Sequence, residues 1–148
     1  MSLMYTYGMT KFLNGGIDLD TNDIRMLAVM SNSTAPTDED AQFVGDIGTL
    51  DEDDATGYVR VALAAEAVSA VTASDRAKFT SDPVGIVSTV ADATRQVIGM
   101  VFFRFVTNDA DSPVICYIDS GGFPYTPDGT TKTISPHPDG WFYARNAV

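Results

Sequence analysis

The sequence predicts a mainly β protein: an antiparallel β-sandwich of about eight strands, with one short N-terminal helix and a long acidic loop. The strongest observation is the run Val97–Val106, in which eight of ten residues are apolar and most are β-branched or aromatic. This composition favours a central strand that is covered on both faces. From Tyr58 onward, short segments of the same kind alternate with turns rich in Gly and Pro, which is typical of an all-β domain.

The N-terminal part carries the one helical pattern. Residues 5–14 contain an apolar stripe with helical spacing, followed by a Gly pair that suits a helix end; the stripe consists of Tyr5, Met9, Phe12 and Leu13. The chain of 148 residues is expected to form one domain over residues 4–148. Residues 1–3 are expected to be an expression scar ahead of a native start at Met4.

The strands are predicted from period-2 alternation and β-branched or aromatic content. Alanines in residues 64–71 also permit a helix there, but the neighbouring strands favour a strand. In chain order the predicted strands are Ile24–Met30, Tyr58–Leu63, Ala64–Val71, Asp75–Phe79, Ser81–Ile86, Val97–Val106, Val114–Ile118, Thr130–Ser135 and Trp141–Ala144.

The central run is expected to divide its side chains between two layers. Alternation places Ile98, Met100 and Phe102 on one face with Arg104, and Val97, Val101 and Phe103 on the other. An opposing sheet is expected on one face. The N-terminal helix, or alternatively a neighbouring subunit, is expected on the face that carries Arg104.

Acidic charge is concentrated in the segment between the first predicted strand and Tyr58. The net charge is −11, and eight of the 20 acidic residues fall between Asp38 and Asp54, where no Lys or Arg occurs. Direct binding of nucleic acid is not expected, because phosphates need neutralising cations, and an anionic membrane surface is disfavoured for the same reason. A loop of about 25 residues is long for a compact domain, and Phe43, Val44, Ile47 and Leu50 are expected to pin it to the core.

No metal or cofactor is predicted. Asp18–Asn22 begins with the spacing of an EF-hand calcium loop, but the sixth and twelfth positions hold Asp23 and Val29 where that loop needs Gly and Glu. A looser calcium site among the carboxylates of residues 38–54 is an alternative to a solvated acidic loop.

The sequence does not predict an enzyme. His137, the single histidine, lies between two prolines in a predicted turn and lacks the further His or Cys residues that a zinc site needs. Cys116, the single cysteine, lies in an apolar run and is expected to be a small buried hydrophobe. A small hydrolase with an unrecognised site is the alternative that His137 would test.

Two further features point to contacts. Arg104 is a charge in an apolar strand, for which we expect a paired acid or a contact between subunits. Aromatic residues cluster near the C-terminus, including Trp141 and Tyr143. They are expected to be core, with a subunit interface or a sugar-binding platform as alternatives.

The order of the segments carries a resemblance. A short helix ends in Asn14-Gly-Gly16, then come Ile17-Asp-Leu-Asp-Thr-Asn-Asp-Ile-Arg-Met-Leu-Ala-Val-Met30, Pro36-Thr-Asp-Glu-Asp-Ala-Gln-Phe43, Gly57-Tyr-Val-Arg60 and Pro113-Val-Ile-Cys-Tyr-Ile-Asp-Ser-Gly-Gly122. Over most of its length, this series resembles small virion structural proteins of tailed bacteriophages, which are strand-rich chains of similar size.

The resemblance implies a non-enzymatic structural role, as a capsid decoration (cement) protein or a related head or tail accessory protein. It implies other virion proteins as partners (capsid or tail subunits), a homo-oligomer with a trimer favoured, and a place in the virion after synthesis in the host bacterial cytoplasm. The acidic loop, with Asp51, Glu52, Asp53 and Asp54, would then contact neighbouring subunits. The alternative function is a carbohydrate- or receptor-binding β-sandwich module, based on the β-rich pattern and the C-terminal aromatics.

Overall fold

The computed structural model describes residues 2–89 and 94–145. The fold is mainly β with antiparallel sheets and one α-helix, which confirms the predicted class. Met1, within the predicted scar, and residues 146–148, within the predicted domain, lie outside the described residues. The helix α1 spans Thr6–Leu13, and short 3₁₀ helices span Val44–Asp46 and Thr72–Ser74. The strands are β1 (Ser2–Met4), β2 (Ile24–Met30), β3 (Val61–Ala62), β4 (Ala67–Val71), β5 (Arg76–Thr80), β6 (Val84–Ile86), β7 (Val97–Arg104), β8 (Val114–Ile118), β9 (Lys132–Ile134) and β10 (Phe142–Arg145).

The main sheet has five strands in the order β1-β8-β7-β2-β3, with all neighbours antiparallel. The predicted central strand β7 lies in its middle, between β8 and β2. Two smaller antiparallel sheets, β10-β5-β4 and β6-β9, complete the fold. Ser2 and Leu3, assigned to the expected scar, are thus part of the folded sheet, since β1 pairs with β8.

A bulge changes the predicted faces of β7. Val29 opposes Gly99 and the next residue, Met30, opposes Val97, so Ile98 is an extra residue in the ladder. Val97 therefore packs with the layer of Met100 and Phe102, and Ile98 with the opposite layer. The prediction was wrong for these two residues because simple alternation assumes an uninterrupted ladder.

Different parts of the chain cover the two faces of the main sheet. The face with Met100 and Phe102 packs against the smaller sheets, through buried residues that include Phe79, Ile86 and Ile134. The expectation of helix α1 as the main cover of this face was wrong, although Phe12 packs at its margin.

The opposite face packs against the acidic segment between β2 and β3. Val101 and Phe103 lie in one buried cluster with Ala35, Val44 and Ile47. Leu50 packs against this cluster, and Phe43 contacts the Tyr7 ring at 5.3 Å between ring centroids. The predicted pinning of the loop is therefore confirmed, and the loop serves as a layer of the core.

Helix α1 approaches β8 through a glycine. A Cβ at Gly8 would lie 2.8 Å from the carbonyl oxygens of Val114 and Ile115. Of the predicted stripe, Tyr5 is buried, but Met9 is 44% and Leu13 91% exposed. The stripe was wrong at these two positions because the closest contact uses a residue without a side chain, which hydrophobic spacing does not register.

Within the described ranges, no helix is long and apolar enough to cross a membrane.

Candidate functional site

Two arginines hold the acidic loop against the rest of the molecule. Arg95 donates hydrogen bonds to Asp51 Oδ1 at 2.7 Å and to Asp54 Oδ1 at 2.5 Å. Arg60 donates to Glu52 Oε2 at 2.7 Å and to both carboxylate oxygens of Asp109, in the turn between β7 and β8. The loop is thereby joined to two other loops by ion pairs.

A half-buried tyrosine extends this network to β2. Tyr58 Oη donates to Glu52 Oε1 at 2.9 Å and accepts from the Ala28 N–H at 2.8 Å. Burial, and then the charge of Glu52, raise the pKa of Tyr58 above its usual range. The hydrogen bond from Arg60 lowers the pKa of Asp109. The Glu52 carboxylate accepts hydrogen bonds from Tyr58 and Arg60 and therefore has a structural role in the loop.

The four acids predicted to form a contact differ in their environments. Asp51 and Glu52 are half-buried and ion-paired, and Asp53 is buried, with its Oδ1 accepting from the Ala55 N–H at 3.0 Å. Only Asp54 among the four is mainly exposed. Other acids of the loop, Glu39, Asp40 and Asp46, face solvent.

The calcium alternative finds no support in the described part of the chain. No three His, Cys, Asp or Glu side chains there are grouped so that they could hold a metal ion. Asp38 Oδ2 instead accepts hydrogen bonds from Thr34 Oγ1 at 2.6 Å and from the Gly48 N–H at 2.7 Å. The Asp38 carboxylate therefore organises the loop through these two hydrogen bonds.

Arg104 pairs with a carbonyl group. Its Nη1 donates to the Gly16 oxygen at 2.9 Å, just beyond the end of α1. Among residues 2–89 and 94–145 it has no acidic partner within ion-pair distance, so the predicted paired acid was wrong. Carbonyl groups at a helix C-terminus favour a cation, and this contact lets Arg104 stay half-buried.

Trp141 is part of the core, as the default interpretation predicted. Its side chain is 7% exposed, its Nε1 donates to Ser81 Oγ at 2.8 Å, and its ring centroid lies 5.3 Å from that of Phe102. It therefore offers no open face to a sugar. Tyr143 is 47% exposed, with the Arg76 guanidinium 5.3 Å from its ring centroid.

A cleft of about 880 Å³ lies where edge strand β1 of the main sheet faces edge strand β10 of the three-stranded sheet. Its floor is apolar and includes Met4, Cys116, Ile118 and Trp141. Its ionisable lining residues are His137, Asp139 and Arg145.

The chemistry of the cleft suits binding better than covalent catalysis. His137 Nδ1 accepts the Asp139 N–H at 3.2 Å, and Asp139 in turn accepts from Arg76. Burial raises the pKa of the Cys116 thiol, which disfavours the thiolate that a nucleophile needs. Among the described strands, none pairs with the outer edge of β1, which borders the apolar floor.

The chain matches no protein-family model, and no curated protein and no solved structure shows significant similarity to it.

Sequence reasoning singled out Trp141 and Tyr143 but missed the cleft that they line. The cleft joins the first strand to the last, and no local pattern signals that two distant segments are sheet edges. The one signal available was Arg145, a cation directly after the predicted C-terminal strand in a strongly acidic chain.

Proposed function

We propose that this protein is a non-enzymatic structural protein of a tailed-phage virion, a capsid decoration or related head or tail accessory protein. It acts through protein–protein contacts with capsid or tail subunits and with further copies of itself, a trimer being favoured. Its place is in the virion, after synthesis in the host cytoplasm.

The observation that carries this proposal is an apolar sheet face that extends beyond the core. In the sheet β10-β5-β4, Phe142, Phe79 and Val68 oppose one another, and Phe79 is buried. The next row on the same face consists of Ala144, Ala77 and Ala70, and all three are exposed.

Alternation along the strands places both rows on one face, so the monomer covers only part of it. Val68, in the first row, is itself 45% exposed. An exposed apolar row next to the core supports a contact with another protein, because large contiguous apolar patches are rare on monomers. The anchored acidic loop supports the same function, since a surface held by ion pairs loses little conformational entropy when it meets a partner.

Incorporation into particles is the direct test. Purified virions that carry a labelled copy of the protein should show it at regular positions by electron microscopy. Absence of the protein from purified virions would contradict the proposal.

The exposed alanine row gives a test of self-association. Ala77→Lys should lower the oligomeric state measured by analytical ultracentrifugation and leave the circular dichroism spectrum unchanged, because a lysine in the contact must be desolvated. Ala110→Lys, at an exposed position in the turn between β7 and β8, is the matched control. If both variants sediment like the wild type, the alanine row is not the contact between copies.

A further inference from the structure

The cleft between β1 and β10 has the features of a peptide-binding groove. We propose that it binds an extended segment of a partner protein, which adds as a strand to the open edge of β1 and places a carboxylate beside Arg145. This inference rests on the proposed function, because it names one surface and the kind of partner segment for a protein that acts through such contacts.

The open edge follows from the hydrogen bonds of β1. The Tyr5 N–H donates to the Ile115 oxygen at 3.1 Å, and Met4 and Leu3 oppose Cys116 and Tyr117. Backbone groups of alternate residues point to the same neighbour, so Leu3 pairs with β8 and the N–H and C=O of Met4 point away from it. Among the described strands, none pairs with β1 on that side.

The floor of the cleft fits apolar side chains of such a segment. Cys116, Ile118 and Trp141 are buried, and Met4 is half-buried above them. In strand addition, backbone hydrogen bonds provide affinity and alternate side chains enter pockets. Strands β1 and β10 have three and four residues, so a segment of about four residues, at about 3.3 Å each, matches their length.

The positive charge of Arg145 at the edge of the cleft favours a carboxylate in the bound segment. Asp139 is engaged by Arg76, whereas Arg145 is exposed and has no ion-pair partner within the described ranges. Arg145 lies at the end of β10 and lines the cleft, in a chain whose net charge is −11. Complementary charge of this kind contributes to partner choice.

A peptide explains these features better than a sugar does. The Nε1 of Trp141 is already bonded to Ser81, and its ring is buried, so neither a stacking face nor an indole donor is available to a glycan. The outward N–H and C=O of Met4, in contrast, can pair with the C=O and N–H groups of an extended peptide backbone.

The test uses a synthetic library of hexapeptides that are acetylated at the N-terminus and amidated at the C-terminus, so that the side chain at position six is the single carboxylate. The peptides carry Ser or Thr at odd positions, Val, Ile, Leu or Phe at positions two and four, and Asp at position six. Trp141 is the single tryptophan, so its fluorescence reports occupation of the floor. In ¹⁵N-labelled protein, bound members should shift the Met4 amide and Trp141 indole resonances and slow hydrogen exchange at the Met4 N–H.

Two variants test the two parts of the site. Met4→Pro removes the outward N–H, which edge strands tolerate, together with the Met4 side chain of the floor, and should weaken binding at least about five-fold, the effect of one lost hydrogen bond. Arg145→Glu should weaken binding of Asp-ended peptides about five-fold and leave Asn-ended peptides unchanged. Lys11→Glu, a cation of α1 outside the cleft lining, is the charge control and should bind as the wild type does. Circular dichroism confirms that each variant is folded, and Arg145→Glu alone keeps the test valid if Met4→Pro unfolds.

Three results would overturn the inference. The first is that no library member at millimolar concentration moves either resonance. The second is that bound peptides keep their affinity when alternate backbone amides are N-methylated. The third is that the cleft resonances shift with protein concentration alone, which would assign the cleft to a second copy of the chain. None of these results affects incorporation into virions or the Ala77→Lys experiment, so the proposed function fails or survives separately.

Discussion

Gly8 sets the distance between α1 and β8. Gly8→Ala should destabilise the protein by about 2 kcal/mol, because the new methyl group meets backbone oxygens that cannot move aside. This cost exceeds the helix propensity that alanine adds, which is about 1 kcal/mol. Urea denaturation measures the difference, with Thr10→Ala on the exposed side of the helix as control. A Gly8→Ala variant as stable as the wild type would show that the helix can shift outward at no cost.

At the residue scale, the sequence is informative where local context decides burial. Cys116 and Trp141 are buried, as their apolar neighbours in the chain predicted. The partner of Arg104 was not predictable, because it is a carbonyl oxygen 88 positions away. Every residue carries a carbonyl group, so side-chain types cannot indicate which one a buried cation meets.

Arg60 joins the acidic loop to the turn that precedes β8. Arg60→Met should destabilise the protein by about 2 kcal/mol, between the costs of surface and buried ion pairs, because Glu52 and Asp109 lose their shared cation. Arg25→Met is the matched control. Its partner Asp23 is only two positions away and both side chains are more exposed than those of Arg60 and Glu52, so the loss should stay below about 1 kcal/mol. Chemical denaturation measures both, and equal losses would contradict a specific role for Arg60.

At the element scale, strands were predictable and the role of the long loop was only partly so. β2 and β8 have the predicted bounds, because hydrophobic runs on buried strands are continuous. The predicted strand at residues 58–63 is reduced to Val61–Ala62, since Tyr58 and Arg60 turn toward Glu52. The apolar residues of the acidic loop predicted that the loop is pinned to the core. Only the fold shows that it covers the face of the main sheet with Val101 and Phe103.

Buried hydroxyl groups make the whole molecule sensitive to alkali. Burial raises the pKa of four of the six tyrosines, Tyr5, Tyr58, Tyr117 and Tyr125. The pKa of Tyr117 rises to about 12. Burial also raises the pKa of Cys116. The folded protein keeps these groups neutral, while the unfolded tyrosines lose protons above about pH 10. The contribution of the tyrosines to stability is therefore full below that pH and is lost as the pH rises toward the folded values, and the contribution of Cys116 starts to fall from about pH 8.5.

We expect the free energy of unfolding, measured in urea, to fall steeply between about pH 10 and pH 12. The absorbance change at 295 nm that corresponds to these four tyrosines should coincide with the loss of far-UV circular dichroism. Ionisation of all six tyrosines with an unchanged circular dichroism spectrum would contradict the role of burial.

At the scale of the whole molecule, the mainly β class followed from strand spacing and turn residues, whereas the order of strands did not. The placement of β1 beside β8, and of β10 across the cleft from it, depends on contacts between the two ends of the chain. Such pairing is decided by the packing of the complete core. Local sequence patterns therefore could not predict the candidate cleft, which those two edge strands form.

Cys116 lies in β8 directly beside Met4 of β1, lines the cleft, and is the single thiol of the chain. Because its side chain is only 2% exposed, a thiol reagent reaches it only when the surrounding cleft opens, so the rate of labelling reports that local opening. Labelling should be slow in the native protein and should slow further when a ligand occupies the cleft, at a fixed urea concentration below the unfolding transition. The molecule thus carries its own chemical reporter at the place where its first strand and its last face each other.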